Sequence, residues 1–221
     1  MKKILLLLIK KKNISGYILK KEYLRHFSIK FYKALKRLQK LFIDKSDKQI
    51  GTTFIYSNLV KAGGIEIFAE VLLMNGYLEY QEDYRNYDIK EDTLDYKTGL
   101  KFVDFKKKFK SDQFKPAVFI LITGSSDESG GDDMPEVKQK IIREVYNNPN
   151  NIDGRNIKIC LGSKVMNEGV TLENVKEIYI LDVHFNLGKV EQVIGRGIRM
   201  CKHIASINDD NKFPKVNVYR Y

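Results

Sequence analysis

The chain has 221 residues, 43% hydrophobic and 30% charged, with a formal net charge of +11. That is enough apolar material for one large domain with its own core, and no apolar run approaches the roughly 20 residues of a bilayer-spanning helix, so a helical membrane class is excluded. The two cysteines, Cys160 and Cys201, lie far apart and belong to no CxxC pair or Cys/His cluster, so a disulfide scaffold or zinc site is not expected.

The charge is unevenly placed. Residues 1–50 carry 15 Lys and Arg against three acids, while the remaining 171 residues carry 24 against 25. A basic block of this kind fits a phosphate backbone as partner, and equally a Lys-rich solvated helix face. Residues 1–50 are therefore expected to form a basic helical arm, and residues 51–221 a separate α/β domain.

The opening MKKILLLLIKKKN resembles a secretory signal, but its apolar run of six residues is short and is followed by lysines in place of small residues. A short strand or helix turn is expected there. Residues 28–43 repeat apolar side chains at Phe31, Ala34, Leu35, Leu38, Leu41 and Phe42, a helical spacing, with Ser28 placed to cap the first turn. A polar loop follows at 44–51, then a strand at 52–56 ending in Ser57-Asn58, and a helix over 62–75 closed by Gly76. Residues 79–115 alternate acids, lysines and tyrosines without a period and are expected to be a partly helical insertion.

The apolar run at 117–123 has the length and composition of a buried parallel strand. A Gly-rich loop at 124–133 leads to Pro135, well placed in a first helical turn, and a helix over 136–147. Strands are expected at 157–161 and 175–181, a helix at 191–200, and a last strand at 215–221. Strands alternating with helices make an α/β fold with a mainly parallel sheet. Ligands of such sheets gather at the carboxyl ends of strands, where Ser57-Asn58, residues 163–168 and residues 182–186 fall.

A phosphate cradle of the P-loop type, GxxxxGK[ST], is absent: Gly188-Lys189 is followed by Val190, and no glycine stands five residues upstream of Gly188. Yet QVIGRGIR, residues 192–199, places Arg196 and Arg199 three apart. Planar guanidinium groups are suited to gripping phosphate oxygens. In phosphoryl transfer an arginine can be brought to the nucleotide from a separate domain, so cradle and finger need not share a chain.

QVIGRGIR fits Q-x-x-G-R-x-x-R and resembles motif VI of superfamily 2 helicases and translocases. GSKVMNEGVTLENVKEIYILD, residues 162–182, resembles motif V with its following strand, and FIYSNLVKAGGI, residues 54–65, resembles motif IV. The segments ITGSSDES, EGVTLENV, HFN and QVIGRGIRMCKH are similar to helicases of nucleocytoplasmic large DNA viruses, of the poxvirus early transcription factor and nucleoside triphosphatase type.

The resemblance implies the second motor domain of an ATP-dependent helicase or translocase, with a RecA-like parallel sheet flanked by helices. It implies that Arg196 and Arg199 are arginine fingers, and that Gln192, Gly195, Glu168, Gly169 and Thr171 lie on the nucleotide side. It places Ser57, Asn58 and Ser163 against nucleic acid. Lys164 and Thr171 depart from the aspartates that many members carry at those positions.

The implied cofactor is ATP, with Mg²⁺ held by a first motor domain that this sequence does not contain, so the chain is expected to be inactive alone. The implied partners are DNA or RNA, a P-loop-bearing RecA-like domain in cis or trans, and a viral RNA polymerase, with no membrane. A viral protein of this type belongs in the host cytoplasm or virion, and otherwise in the cytoplasm. The alternative expectation is a non-catalytic nucleic-acid-binding or transcription-complex module.

Overall fold

The computed structural model describes residues 8–10, 13–43, 51–61, 63–124, 134–167, 171–182, 187–198 and 215–221. The expected loops at 44–50 and 125–133 and the end of the expected helix at 199–200 lie outside these residues.

A short antiparallel hairpin, β1 (Leu8–Lys10) with β2 (Asn13–Ser15), precedes two helices, α1 (Lys21–Phe27) and α2 (Ile29–Ile43). The central strands are β3 (Thr52–Tyr56), β4 (Leu78–Glu79), β5 (Val118–Ile122), β6 (Ile159–Gly162), β7 (Val175–Ile180) and β8 (Asn217–Arg220). They form one parallel sheet in the order β4-β5-β6-β3-β7-β8. The helices between them are α3 (Ile65–Met74), α4 (Phe102–Phe105), α5 (Glu136–Ile141) and α6 (Leu187–Gly197). The end of α5 runs on as a π-helical turn, Ile142–Tyr146.

The pleat sorts the sheet's side chains into two cores. Ile55, Phe119, Ile159, Leu161 and Tyr179 face one way and meet Leu24, Phe31, Ala34, Leu35 and Leu38 of α1 and α2 and the apolar face of α3. Phe54, Tyr56, Ile120, Ile122, Cys160, Ile178 and Ile180 face the other way and meet Ile142 and Tyr146, Val190 and Val193. A sheet covered on both faces explains why β5 and β6 read as continuous apolar runs.

The basic helical arm is built into this structure. The apolar stripe of α2 is fully buried at Phe31, Ala34 and Leu35, with the Phe31 ring 5.3 Å from that of Phe68 on α3. Its lysines at 33, 36 and 40 remain exposed. Ser28 caps α2 only weakly, 3.4 Å from the Phe31 amide.

The expected insertion at 79–115 is mostly irregular, with the single turn α4 and two short 3₁₀ turns. It is organised by Asp95, a buried carboxylate that accepts from the Thr98 amide and hydroxyl, both at 2.8 Å, and from the Lys97 and Lys115 amides. Such side-chain-to-backbone bonding stands in for a regular ladder.

Candidate functional site

Three strands end side by side at the carboxyl edge of the sheet, and each delivers one polar residue. Ser57 follows β3, Ser163 follows β6 and Asp182 follows β7. Backbone bonds lock these ends together: the Ser57 amide donates to Gly162 O at 3.1 Å, the Ser163 amide to Ile122 O at 3.2 Å, and the Leu181 amide to Tyr56 O at 2.9 Å.

Asp182 organises the β3 side of this edge. Ser57 Oγ donates to Asp182 Oδ2 at 2.6 Å, and the Leu59 amide lies 3.3 Å from the same oxygen. Lys30, arriving from α2, donates to Asp182 Oδ1 at 3.0 Å. Burial alone would raise this carboxyl's pKa. The hydrogen bonds from Ser57 and Lys30, the Lys30 charge and the Leu59 amide outweigh burial and hold it below the usual carboxylate range. Asn58, between the two bonded residues, is half-exposed.

Ser163 is different. Its side chain is buried and its Oγ has no hydrogen-bond partner among the described residues. A hydroxyl removed from water without a partner costs about 1–3 kcal/mol. The position is therefore suited to a polar partner that is not among the described residues.

On α6, Val190, Val193 and Gly197 are buried against the sheet while Glu191 and Gln192 are exposed. A Cβ on Gly197 would come within 2.8 Å of Ile178 Cδ1, whereas one on Gly195 would meet nothing within 4 Å. Gly197 thus permits the close approach of α6 to β7, and Gly195 borders open space. By helical spacing, positions 192, 195 and 196 share the face turned away from the core.

Glu168, Gly169 and Arg199 lie outside the described residues. Thr171 does not join the carboxyl edge. Its carbonyl accepts from Asn147 Nδ2 at 2.9 Å, and Asn147 Oδ1 takes the Glu173 amide at 2.9 Å, which anchors this segment on the approach to the amino end of β7. Two residues of the edge cluster were not singled out from sequence. Asp182 carries a usable signal, an acid directly after a buried strand. Lys30 carries none, being one of many lysines on α2. Among the described residues no group of His, Cys, Asp and Glu is arranged to hold a metal ion, and no helix is long and apolar enough to cross a membrane.

Residues 95–201 match the helicase conserved C-terminal domain family. A protein of Acanthamoeba polyphaga mimivirus named as an ATP-dependent RNA helicase is 52% identical over 211 residues, covering 94% of this chain and 18% of that protein. A second mimivirus protein of the same name type is 29% identical over 196 residues, 89% of this chain and 26% of its own length. The early transcription factor 70 kDa subunit of monkeypox virus is 24% identical over 180 residues, 81% of this chain and 23% of that subunit. The chain thus spans about a quarter or less of the length of these relatives. Together with the six-stranded parallel sheet, these matches show that the chain carries a helicase conserved C-terminal domain and is similar to helicases of large DNA viruses.

Proposed function

We propose that the chain works as the second motor domain of an ATP-dependent nucleic-acid helicase or translocase in a viral transcription setting. In this reading a P-loop-bearing RecA-like domain, in cis or in trans, cradles ATP and its Mg²⁺. Arg196 on α6 and Arg199, two residues past its end in sequence, reach the phosphates, and Gln192 and Gly195 border the same nucleotide. Fingers on one domain and a cradle on the other make hydrolysis depend on closure, because the developing charge is neutralised only when the domains meet. The fingers supply guanidinium groups and no bond-making chemistry of their own.

Ser57, Asn58 and Ser163 contact the backbone of a single strand across the carboxyl edge. Hydroxyls and backbone amides commonly serve this purpose and carry no sequence information. Glu168 and Gly169 complete the nucleotide side. The anchoring of Thr171 through Asn147 leaves it the least suited of the candidates to reach a ribose. The names of the mimivirus relatives favour RNA and ATP, and that of the poxvirus relative favours a role beside a viral RNA polymerase.

The observation that carries the reading is the buried Ser163 hydroxyl, without a partner among the described residues and set among strand ends in the segment that resembles motif V. The test is phosphate release by the chain mixed with a P-loop-bearing first motor domain and single-stranded RNA. Arg196→Ala should lower turnover by about 10³-fold with unchanged circular dichroism. Unchanged turnover would remove the finger assignment. Clear turnover by the chain alone, lost in Arg196→Ala, would mean that a cradle lies within it and would overturn the half-motor reading.

A further inference from the structure

We infer that Lys30 and Asp182 are positioning residues for the strand-contacting loop: Lys30 on α2 holds the carboxylate that fixes Ser57 and the Leu59 amide, and so sets the shape of residues 57–59. The inference rests on the reading above, in which Ser57 and Asn58 meet nucleic acid.

The Asp182 side chain is only 12% exposed. A carboxylate so placed is stable only when paired and hydrogen-bonded. Oδ1 takes Lys30 and Oδ2 takes both Ser57 Oγ and the Leu59 amide. Apolar packing does little to anchor the loop, since Leu59 is 49% exposed. Its geometry is set by this charge-assisted set, the type of hydrogen bond that is both shorter and stronger than neutral ones, together with the loop's own bonds, in which Ser57 Oγ lies 2.7 Å from the Leu59 carbonyl and 3.2 Å from its amide, and the Ile65 amide donates to Leu59 O at 2.9 Å.

Lys30 arrives on a rigid support. Seven residues along the same face of α2, Arg37 donates to the Tyr219 hydroxyl, stacks over that ring at 3.5 Å, and lies 4.0 Å from Glu177 on β7. The helix thus crosses β7 lengthwise, with Arg37 near the strand's start and Lys30 at its end. The apolar residues between them, Phe31, Ala34 and Leu35, are buried. A shift of α2 along the sheet would move Lys30 and change the loop, which couples the basic N-terminal helix to the strand-contacting edge.

The test uses the 221-residue chain and a fluorescein-labelled oligouridylate, read by anisotropy. Asp182→Asn removes a negative charge from a surface that meets phosphates, so Coulomb forces alone would tighten binding. Positioning predicts the opposite sign: if the loop then holds its competent shape about a fifth of the time, affinity falls about fivefold. Lys30→Met should weaken binding, the Lys30→Met/Asp182→Asn double variant should be no weaker than either single one, and Lys30→Arg should restore affinity.

Asn58→Ala serves as the control for the underlying reading. Unchanged or tighter binding by Asp182→Asn, with binding weakened by Asn58→Ala, would overturn the inference and leave the reading standing. Binding unchanged in both would overturn the reading and the inference with it. Amide NMR shifts guard against misfolding. Changes in Asp182→Asn confined to residues 57–59 and their neighbours support positioning, and changes across the whole sheet overturn it.

Discussion

Gly197 and Ile178 set how closely α6 lies on the sheet: a Cβ on Gly197 would sit 2.8 Å from Ile178 Cδ1 and 3.3 Å from its Cγ1. Ile178 is fully buried, so its side chain has little room to turn away. Gly197→Val should therefore destabilise the protein by about 1–3 kcal/mol through overpacking. Gly195→Ala, two residues away in open space, should be neutral or stabilising by up to about 1 kcal/mol, because alanine is the better helix former. Denaturant melts of both variants check the contrast, and equal losses would show that the glycines play the same role.

The Asp182 contact should show in acid. Its pKa in the folded chain is depressed, so the stability it contributes is complete above the ordinary carboxylate pKa of about 4. It should be lost as pH falls from there through the lower folded-state value. The stability difference between wild type and Asp182→Asn should accordingly be flat from neutral pH to about pH 5 and shrink below about pH 4. Melting both proteins across that range reads it directly, and a difference that grew on acidification would contradict the pairing.

Tyr146 and Thr52 join the π-helical turn to the start of β3, with Oη and Oγ1 2.6 Å apart inside the core. Tyr146→Phe leaves Thr52 Oγ1 with the Asn174 carbonyl at 3.3 Å as its remaining acceptor. A loss of about 1 kcal/mol is expected for one buried neutral hydrogen bond whose partner keeps an alternative. Urea unfolding with an unchanged m-value would check it.

Burial pushes the Cys160 thiol well above its ordinary pKa. The thiolate is the reactive form, so Cys160 should resist alkylation in the native chain and react once denatured. Mass spectrometry after iodoacetamide treatment in a Cys201→Ser background tests this, and rapid native labelling would place the thiol nearer solvent.

Removing residues 1–50 would strip Phe31, Ala34, Leu35 and Leu38 from the core, so the charge of the arm is better tested by substitution. Lys33, Lys36 and Lys40 are exposed. Replacing all three by Gln should flatten the dependence of log affinity on log salt by up to about 2 for a single strand, at roughly 0.7 per phosphate contact. An unchanged slope would mean that these lysines face solvent only.

Much of this chain's architecture is local in origin and was legible before any coordinates. The residues from 29 to 43 carry a 3.6-residue apolar period, and β5 and β6 are apolar runs of strand length, because a sheet covered on both faces demands them. The motif-like segments were legible for a similar reason: each is a short contiguous stretch after a strand. α1 was not legible, since it buries only Leu24, and one buried residue makes no period. Nor was the order within residues 79–115, where Asp95 gathers amides from two separate turns.

What only the tertiary structure decided is the company each candidate keeps. Lys30 and Asp182 are 152 residues apart, and nothing in either neighbourhood names the other. Ser163 reads like any hydroxyl after a strand until the packing buries it without a partner among the described residues. Thr171 reads as a residue of the nucleotide side, and only the fold shows its carbonyl tied to Asn147. Periodicity and motifs record what a residue does to its own segment. Pairing, burial and charge state depend on which segments the parallel sheet brings side by side, and its order, β4-β5-β6-β3-β7-β8, is a property of the whole chain.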